Sequence, residues 1–132
     1  MRLLLLAIGL FAFLISAIAT AADAPAGKAV PLLTTPLPDL KGKEVTMLTV
    51  EYPPGGASAS HRHDAFVYVY VLEGAIVMKT QSGPEVTLTT GQTFTESPTD
   101  IHTVSRNASN TQSAKFLVFM IKDAGAPPTR AP

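Results

Sequence analysis

Two of the chain's three histidines stand two positions apart in the stretch HRHDAFVYVYVLEG, which runs from His61 to Gly74. In an extended strand, residues i and i+2 share a face, with their Cα atoms roughly 6.5–7 Å apart. Two imidazoles at this spacing can converge on one metal ion, with bonds of about 2.0–2.1 Å. The pair therefore forms a plausible bidentate clamp. The third histidine, His102 in SPTDIHTVSRN, is the candidate for a third ligand.

An isolated His-x-His on a surface strand also arises by chance, with both rings in water. Here both histidine segments follow turn sequences, Pro53-Pro54-Gly55-Gly56 and Ser97-Pro98-Thr99-Asp100, and the chain has no other histidine. Turns of this kind lie at the ends of strands, where the mouth of a barrel would be. The pattern favours a site for one divalent transition metal ion, with Fe, Mn, Ni, Cu and Zn all compatible with the donors.

The elements that must position these histidines are short β-rich runs separated by glycine and proline turns. No convincing amphipathic helix lies between them. Many short strands at close spacing predict an all-β sandwich or barrel. The runs are EVTMLTVEY (44–52), AFVYVYVLEG (65–74), AIVMKT (75–80), EVTLTT (85–90), QTFTE (92–96), IHTVS (101–105) and AKFLVFMI (114–121).

The run from Phe66 to Leu72 is apolar or aromatic at every position. Because successive side chains point to opposite faces, both faces must be covered. If the histidine face points inward, Val67 and Val69 line an apolar pocket together with Phe94, while the tyrosines between them face outward. Such a pocket suits a small organic ligand. The outer face predicts contact with a second sheet or a second subunit, and hence a homodimer.

The two ends of the chain differ from this middle part. Residues 1–21 have the layout of a secretory signal peptide, with an apolar run that ends in the cleavage-type sequence Ala19-Thr20-Ala21. The alternative is that these residues stay attached as a membrane anchor. We favour cleavage, which predicts a periplasmic or secreted protein. Residues 22–43 are proline-rich and predict an extended arm, residues 44–122 the barrel, and residues 123–132 a loose tail.

Composition excludes several classes of function. The chain has no cysteine, which excludes disulfides, thiolate metal sites and thiol catalysis. Ten basic and ten acidic residues balance, and no run of Lys or Arg occurs. Neither nucleic acid nor, after signal cleavage, a membrane surface is therefore expected as a partner.

Two motifs in the middle of the chain resemble those of the cupins, a family of small jelly-roll barrels. The first is a glycine, His-x-His and a second glycine, and the second is a glycine, a proline, a histidine and an asparagine. The resemblance implies a single-domain cupin barrel in which the histidines bind one metal ion. The matching residues are Gly55, His61, His63 and Gly74 in the first motif, and Gly91, Pro98, His102 and Asn107 in the second.

The chain departs from the cupin pattern at two positions. Val67 stands where the family has a glutamate ligand, and Asp100 replaces a glycine. The resemblance therefore implies three histidine ligands, and cupins with reduced ligand sets include both metalloenzymes and members without metal. Glu96 is a candidate replacement, because it shares a strand face with Phe94 just before the turn that leads to His102. A solvated strand end and a partner for a ligand ring are the alternatives for Glu96.

Two kinds of function follow. In one, an open metal site acts on a small organic molecule, and the resemblance implies dioxygenase, isomerase or lyase chemistry with Glu96 as the acid–base residue. In the other, an exported barrel binds a metal or a small ligand without turnover. The scarcity of acid–base groups near the histidines supports the second hypothesis, but we favour the first, a metal-dependent enzyme.

Overall fold

Short β-forming runs become strands throughout the part of the chain described by the computed structural model, residues 23–132. Nine strands and no helix lie in this range, which confirms the predicted all-β class. The strands are β1 (Lys28–Pro36), β2 (Lys43–Tyr52), β3 (Ala57–Ser58), β4 (Phe66–Glu73), β5 (Ala75–Thr80), β6 (Val86–Thr89), β7 (Thr93–Glu96), β8 (His102–Asn107) and β9 (Ala114–Asp123). The predicted signal peptide, residues 1–21, lies outside the described residues. Among residues 23–132, no helix is long and apolar enough to cross a membrane.

The strands form two sheets with antiparallel neighbours. The larger sheet has the order β1-β2-β9-β4-β7, and the smaller has the order β3-β8-β5-β6. Their inner faces enclose one apolar core, as expected for a jelly roll. The core residues are Leu48, Tyr52, Ala65, Val67, Val69, Val71, Ile76, Met78, Leu88, Ala114, Phe116, Val118 and Met120.

Strand β4 has the register that the sequence predicts. Val67 and Val69 are buried, whereas Tyr68 and Tyr70 are 46% and 45% exposed on the outer face. The strict alternation follows from the two-residue period of a strand. One side of this wholly apolar strand therefore builds the cavity wall, and the other builds the outer surface of the larger sheet.

The hairpin from β4 to β5 depends on Gly74. Its φ of 72° lies in the left-handed region that side chains other than glycine rarely adopt. A Cβ at this position would also lie 2.7 Å from the carbonyl oxygen of Ser113. The turn that follows the histidine strand therefore requires glycine, for reasons of both backbone conformation and space.

The proline-rich segment predicted as an extended arm contains strand β1. This strand pairs with β2 from Lys28 to Pro36, with an irregularity between Pro31 and Leu33. Proline is tolerated there because β1 is an edge strand, whose outer N–H groups need no partner. The arm thus runs along the edge of the larger sheet.

The C-terminal segment, residues 123–132, differs from the expected loose tail. Lys122 donates a hydrogen bond to the carbonyl oxygen of Ala126 at 2.7 Å. Further on, Arg130 forms an isolated antiparallel bridge with Arg62, next to the histidine pair. The segment is exposed, but these hydrogen bonds hold it against the barrel, and a sequence poor in apolar residues gives no sign of them.

Candidate metal centre

Backbone pairing brings the three histidines together. The amide of His61 donates to the carbonyl of His102 at 3.1 Å, and the amide of His102 donates to the carbonyl of His61 at 2.8 Å. His63 lies on the same side of the chain as His61, as the i, i+2 spacing predicts. One candidate ligand atom from each ring lies within 4.8 Å of the others. The predicted cluster of His61, His63 and His102 is therefore present.

Main-chain carbonyls orient two of the rings. The Nδ1 atom of His61 lies 2.8 Å from the carbonyl oxygen of Ala59, and the Nδ1 atom of His63 lies 2.7 Å from that of Pro128. A carbonyl oxygen only accepts hydrogen bonds, so each Nδ1 must carry the proton. In a neutral ring this arrangement leaves Nε2 as a bare lone pair, the form in which histidine binds a metal.

The two Nε2 atoms of this pair face each other at 3.2 Å. Two neutral rings in this tautomer have no proton to share between them, so the two lone pairs repel each other unless a cation lies close to both. Two nitrogens bound at about 2.0–2.1 Å would stand at this separation if their bonds to the ion made an angle of about 100°. The geometry of His61 and His63 therefore fits a metal ion.

Burial favours the neutral form of His61. Loss of solvent lowers the pKa of His61 from its ordinary value of 6.5, and charges on His63 and His102 would lower it further. The hydrogen bond to Ala59 and the charge of Glu96 act in the opposite direction. The net lowering keeps this ring unprotonated near neutral pH, where it is competent as a ligand.

Glu96 lies beside the cluster. It is the last residue of β7 and is paired directly with Val67 of β4 across the sheet. Its Oε1 atom is 3.2 Å from Nδ1 of His102 and 3.7 Å from Nε2 of His63, and its side chain is only 2% exposed. The carboxylate therefore stands one strand away from the position at which the cupin pattern has its glutamate, and on the same face.

His102 is buried with unsatisfied polar atoms. Neither ring nitrogen has a hydrogen-bond partner, and the same is true of Oε2 of Glu96. The contact of 3.2 Å between His102 and Glu96 is short enough for an ion pair, but its direction is not that of a hydrogen bond. Buried polar groups are seldom left without partners. The unsatisfied nitrogens and carboxylate oxygen lie together, as expected of donors that bind an ion of transition-metal type.

An apolar cavity of about 490 Å³ opens beside the histidines. Val67 and Val69 line it, as the sequence predicts, and Met78, Val118 and Met120 extend the apolar wall. The expectation for Phe94 was wrong, because this ring is not part of the cavity wall. It stacks on His102 with a centroid distance of 5.8 Å and an interplanar angle of 27°. Its place beside the imidazole supports the ring rather than contacting a ligand.

A hydroxyl cluster in the cavity wall was missed by the sequence reasoning. The hydroxyl of Tyr52 lies 2.6 Å from Oγ of Ser58 and 2.7 Å from Oγ of Ser105. Burial raises the pKa of Tyr52 above its ordinary value of 10.0, so the phenol stays protonated. These residues come from β2, β3 and β8, and no local pattern in the sequence links them. They give the cavity a polar group besides the histidine–glutamate cluster.

The sequence matches a known family over more than half its length. The cupin domain family matches residues 48–120, which include all three histidines. The chain belongs to the cupin family. This confirms the resemblance seen in the two motifs, and the cupin barrel accounts for the two antiparallel sheets. No match was found among curated protein sequences.

Several solved structures share this fold. A cupin domain from Bordetella pertussis Tohama I has 22% sequence identity and a TM-score of 0.61, with 77% of this chain and 99% of that domain covered. DMSP lyase DddQ from Ruegeria pomeroyi DSS-3 has 18% identity and a TM-score of 0.58, with 66% of this chain and 42% of the lyase covered. An oxalate oxidase in complex with glycolate has 20% identity and a TM-score of 0.57, with 65% of this chain and 45% of the oxidase covered. This cupin thus spans less than half the length of the two enzymes.

Proposed function

We propose that this cupin binds one divalent transition metal ion (Fe, Mn, Ni, Cu or Zn) through His61, His63 and His102 and uses it to act on a small organic molecule. The observation that carries the proposal is the pair of Nε2 atoms 3.2 Å apart, both left bare by carbonyl acceptors on the other side of their rings. No arrangement of neutral imidazoles alone satisfies them. The unsatisfied nitrogens of His102 support the same conclusion.

The ion and the residues around it would have different roles in the reaction. A bound divalent ion supplies Lewis-acid or redox chemistry and an attachment point for a chelating substrate. Glu96 contacts two of the ligand rings and is the candidate to hold or move a proton during the reaction. The apolar wall around Val67 and Met120 excludes water, which strengthens the electrostatic interactions within the cavity. Dioxygenase, isomerase and lyase reactions all fit this arrangement.

A binding protein without turnover is the second candidate. Glu96 is the only carboxylate among the residues that line the cavity in the described range. If both of its oxygens contact the ion and the ligand rings, no carboxylate remains for proton transfer.

The two candidate functions are distinguished when metal-free protein is loaded with each metal and screened with small phenols, diketones, thiols and sugars. Tight ligand binding without oxygen uptake or product under every metal would favour the binding protein.

Metal analysis tests the shared part of both proposals. Purified protein should contain about one metal ion per chain, and replacement of His61, His63 or His102 singly with alanine should remove most of it. Thr103→Ala is the matched control, because Thr103 is next to His102 on β8 but is exposed. Stoichiometric metal in His102→Ala would exclude the three-histidine site. Metal-free protein from every source, even after addition of metal, would exclude the proposed function.

We further propose that the outer face of the larger sheet joins two copies of the chain. Phe66, Tyr68 and Tyr70 are 51%, 46% and 45% exposed there, and Phe119 lies 6.0 Å from Tyr68 between ring centroids. These four side chains carry no charge, so this part of the face can meet its own copy about a twofold axis without repulsion. A stable contact needs roughly 800 Å² per partner. Light scattering should give a dimer for the wild type and a monomer for Tyr68→Glu, and a monomeric wild type would disprove the contact.

Export is proposed from the sequence of residues 1–21 alone. Cleavage after Ala21 would give a mature chain that begins at Ala22, in the periplasm or outside the cell. Intact-mass measurement on protein from the native host tests this. A mass that includes residues 1–21 would indicate an anchor instead.

A further inference from the structure

The segment from Ala126 to Ala131, here called the C-terminal strap, crosses beside the metal centre. Its first residue, Ala126, is held by a hydrogen bond from the barrel residue Lys122. Lys122 is buried, pairs with the carboxylate of Glu44, and donates to the carbonyl oxygen of Ala126 at 2.7 Å. Gly125, with a φ of 75°, turns the chain into the strap. The strap therefore begins at a fixed point on the barrel and is not a free end.

The far end of the strap is clipped to the histidine segment. Arg62 and Arg130 exchange two backbone hydrogen bonds, of 3.0 and 2.9 Å. The carboxylate of Asp64 forms ion pairs with both arginines, with Oδ1 3.2 Å from Nε of Arg62 and Oδ2 2.7 Å from Nε of Arg130. Asp64 has a φ of 48°, a conformation that non-glycine residues adopt at a cost. The clip thus holds the strap to the residues that flank His63.

Between these two fixed points, the strap contacts His63, one of the three proposed metal ligands. The carbonyl oxygen of Pro128 accepts the Nδ1–H of His63 at 2.7 Å. Pro127 and Pro128 restrict the backbone of this short span, because each ring fixes its own φ. The acceptor is therefore held rigidly in front of the imidazole. Pro128, Thr129, Arg130 and Ala131 also form one side of the cavity.

We propose that the C-terminal strap is a positioning element of the metal centre: the Pro128 carbonyl fixes the ring orientation and the Nδ1–H tautomer of His63, so that Nε2 faces His61. This inference rests on the proposed metal site. Removal of the hydrogen-bond partner of a metal-binding histidine weakens metal binding by about ten- to a hundredfold. Without the strap, His63 can rotate and can place its proton on Nε2, where it blocks coordination.

The experiment compares three chains with the full-length protein. The first ends at Ala126 and lacks the strap beyond its first residue. The second, Arg130→Pro, keeps the length of the strap but removes the N–H that donates to Arg62. The third lacks only Pro132, which lies beyond the clip, and is the matched control. Metal affinity is measured by competition with a chelator, and the tautomer of His63 by ¹⁵N shifts of the ring nitrogens in the metal-free proteins.

The expected result is a metal affinity ten- to a hundredfold lower in the chain that ends at Ala126, and a smaller loss in Arg130→Pro. Removal of Pro132 should change nothing. In the metal-free full-length protein His63 should carry its proton on Nδ1, and the shortened chain should show protonation of Nε2 as well. If the shortened chain fails to fold in a thermal melt, Arg130→Pro decides by the same two measurements.

The two readouts keep this inference separate from the proposed function. An unchanged His63 tautomer together with a metal affinity within twofold of full length would overturn the positioning role and leave the metal site intact. A full-length protein that binds no metal would overturn the proposed function. The tautomer shift in metal-free protein would still show whether the strap orients His63.

Discussion

The replacement of His102 with leucine separates the role of this residue in metal binding from its role in stability. His102 is 3% exposed, and both of its ring nitrogens lack a hydrogen-bond partner. A buried polar group without a partner costs about 1–3 kcal/mol of folding free energy. Leucine has a similar size, keeps an apolar contact with Phe94 and removes that cost. In the metal-free protein, His102→Leu should therefore raise the free energy of unfolding by about 1–3 kcal/mol.

The same substitution should abolish the response to metal. At a free metal concentration of one hundred times the Kd, a ligand that binds only the folded state stabilises it by about 2.7 kcal/mol. An unfolding entropy of roughly 2.1 cal/mol/K per residue over about 110 residues converts this into a rise in Tm of about 12 °C. By the same conversion, the stabilisation of metal-free His102→Leu corresponds to about 4–13 °C. The variant should thus have a higher Tm in chelator and no further rise in metal.

Thermal and urea unfolding, each in chelator and in excess metal, measure both effects. Thr103→Leu is the control, because it adds an apolar side chain at the neighbouring exposed position of β8 and should keep the metal response. A loss of more than 1 kcal/mol in chelator would refute the reasoning, since it would mean that the His102 ring supports the carboxylate of Glu96. A metal response equal to that of the wild type would show that His102 is not a ligand.

Three further predictions concern the surroundings of the site. Glu96→Val should weaken metal binding at least tenfold, and adding Val67→Glu should restore most of it, because the two residues are direct partners across the sheet. Glu44→Gln should be less stable than the wild type near neutral pH, with the difference shrinking below pH 4.5, since the hydrogen bond from Lys122 lowers the pKa of Glu44. Tyr52→Phe should cost about 1–3 kcal/mol, because two hydroxyl hydrogen bonds of roughly 0.5–1.5 kcal/mol each are lost.

The measurements and contrary outcomes differ for each. Calorimetric metal titration checks Glu96→Val and its rescue by Val67→Glu. A double variant that binds metal as weakly as Glu96→Val would show that position 67 does not face the ion. Urea unfolding between pH 3 and 7 checks Glu44: a native pKa below the ordinary 4.5 adds stability above that pH, which is lost as the carboxylate is protonated. A constant difference across this range would contradict the assignment. Urea unfolding at neutral pH checks Tyr52, and an unchanged stability would mean that its hydroxyl is equally well solvated in the unfolded chain.

Local patterns were sufficient to predict the fold and the histidine cluster. The alternation in β4 predicted that Val67 and Val69 face inward, because the two-residue period depends only on the strand itself. The spacing of His61 and His63 likewise places both rings on one side without knowledge of any neighbour. His102 was added to the pair because it also follows a turn and is the only other histidine, and the cupin motifs implied the same third ligand.

Contacts that depend on the pairing of strands distant in sequence could not be predicted from local patterns. Alternation made Glu96 a candidate for the inside of the barrel, but its position opposite Val67 depends on the register between β4 and β7. That register follows from the packing of the whole barrel. The contact between Pro128 and His63 is further still from any local pattern, since a short proline-rich end is typical of loose tails. It arises only because Lys122 and Arg62 hold the two ends of the strap.

The position of Glu96 suggests why Val67 is compatible with a metal site. Direct partners on neighbouring antiparallel strands have Cβ atoms about 4.5–5.5 Å apart and share one face. A carboxylate on β7 therefore faces the same cavity as one at position 67 on β4 would, and Glu96 lies within 3.2–3.7 Å of two imidazoles. Valine at position 67 then fills the space between the cluster and the apolar wall, where a second buried carboxylate would face Glu96 with like charge. We therefore propose that Glu96 on β7 takes the part that the cupin pattern gives to a glutamate at position 67 on β4.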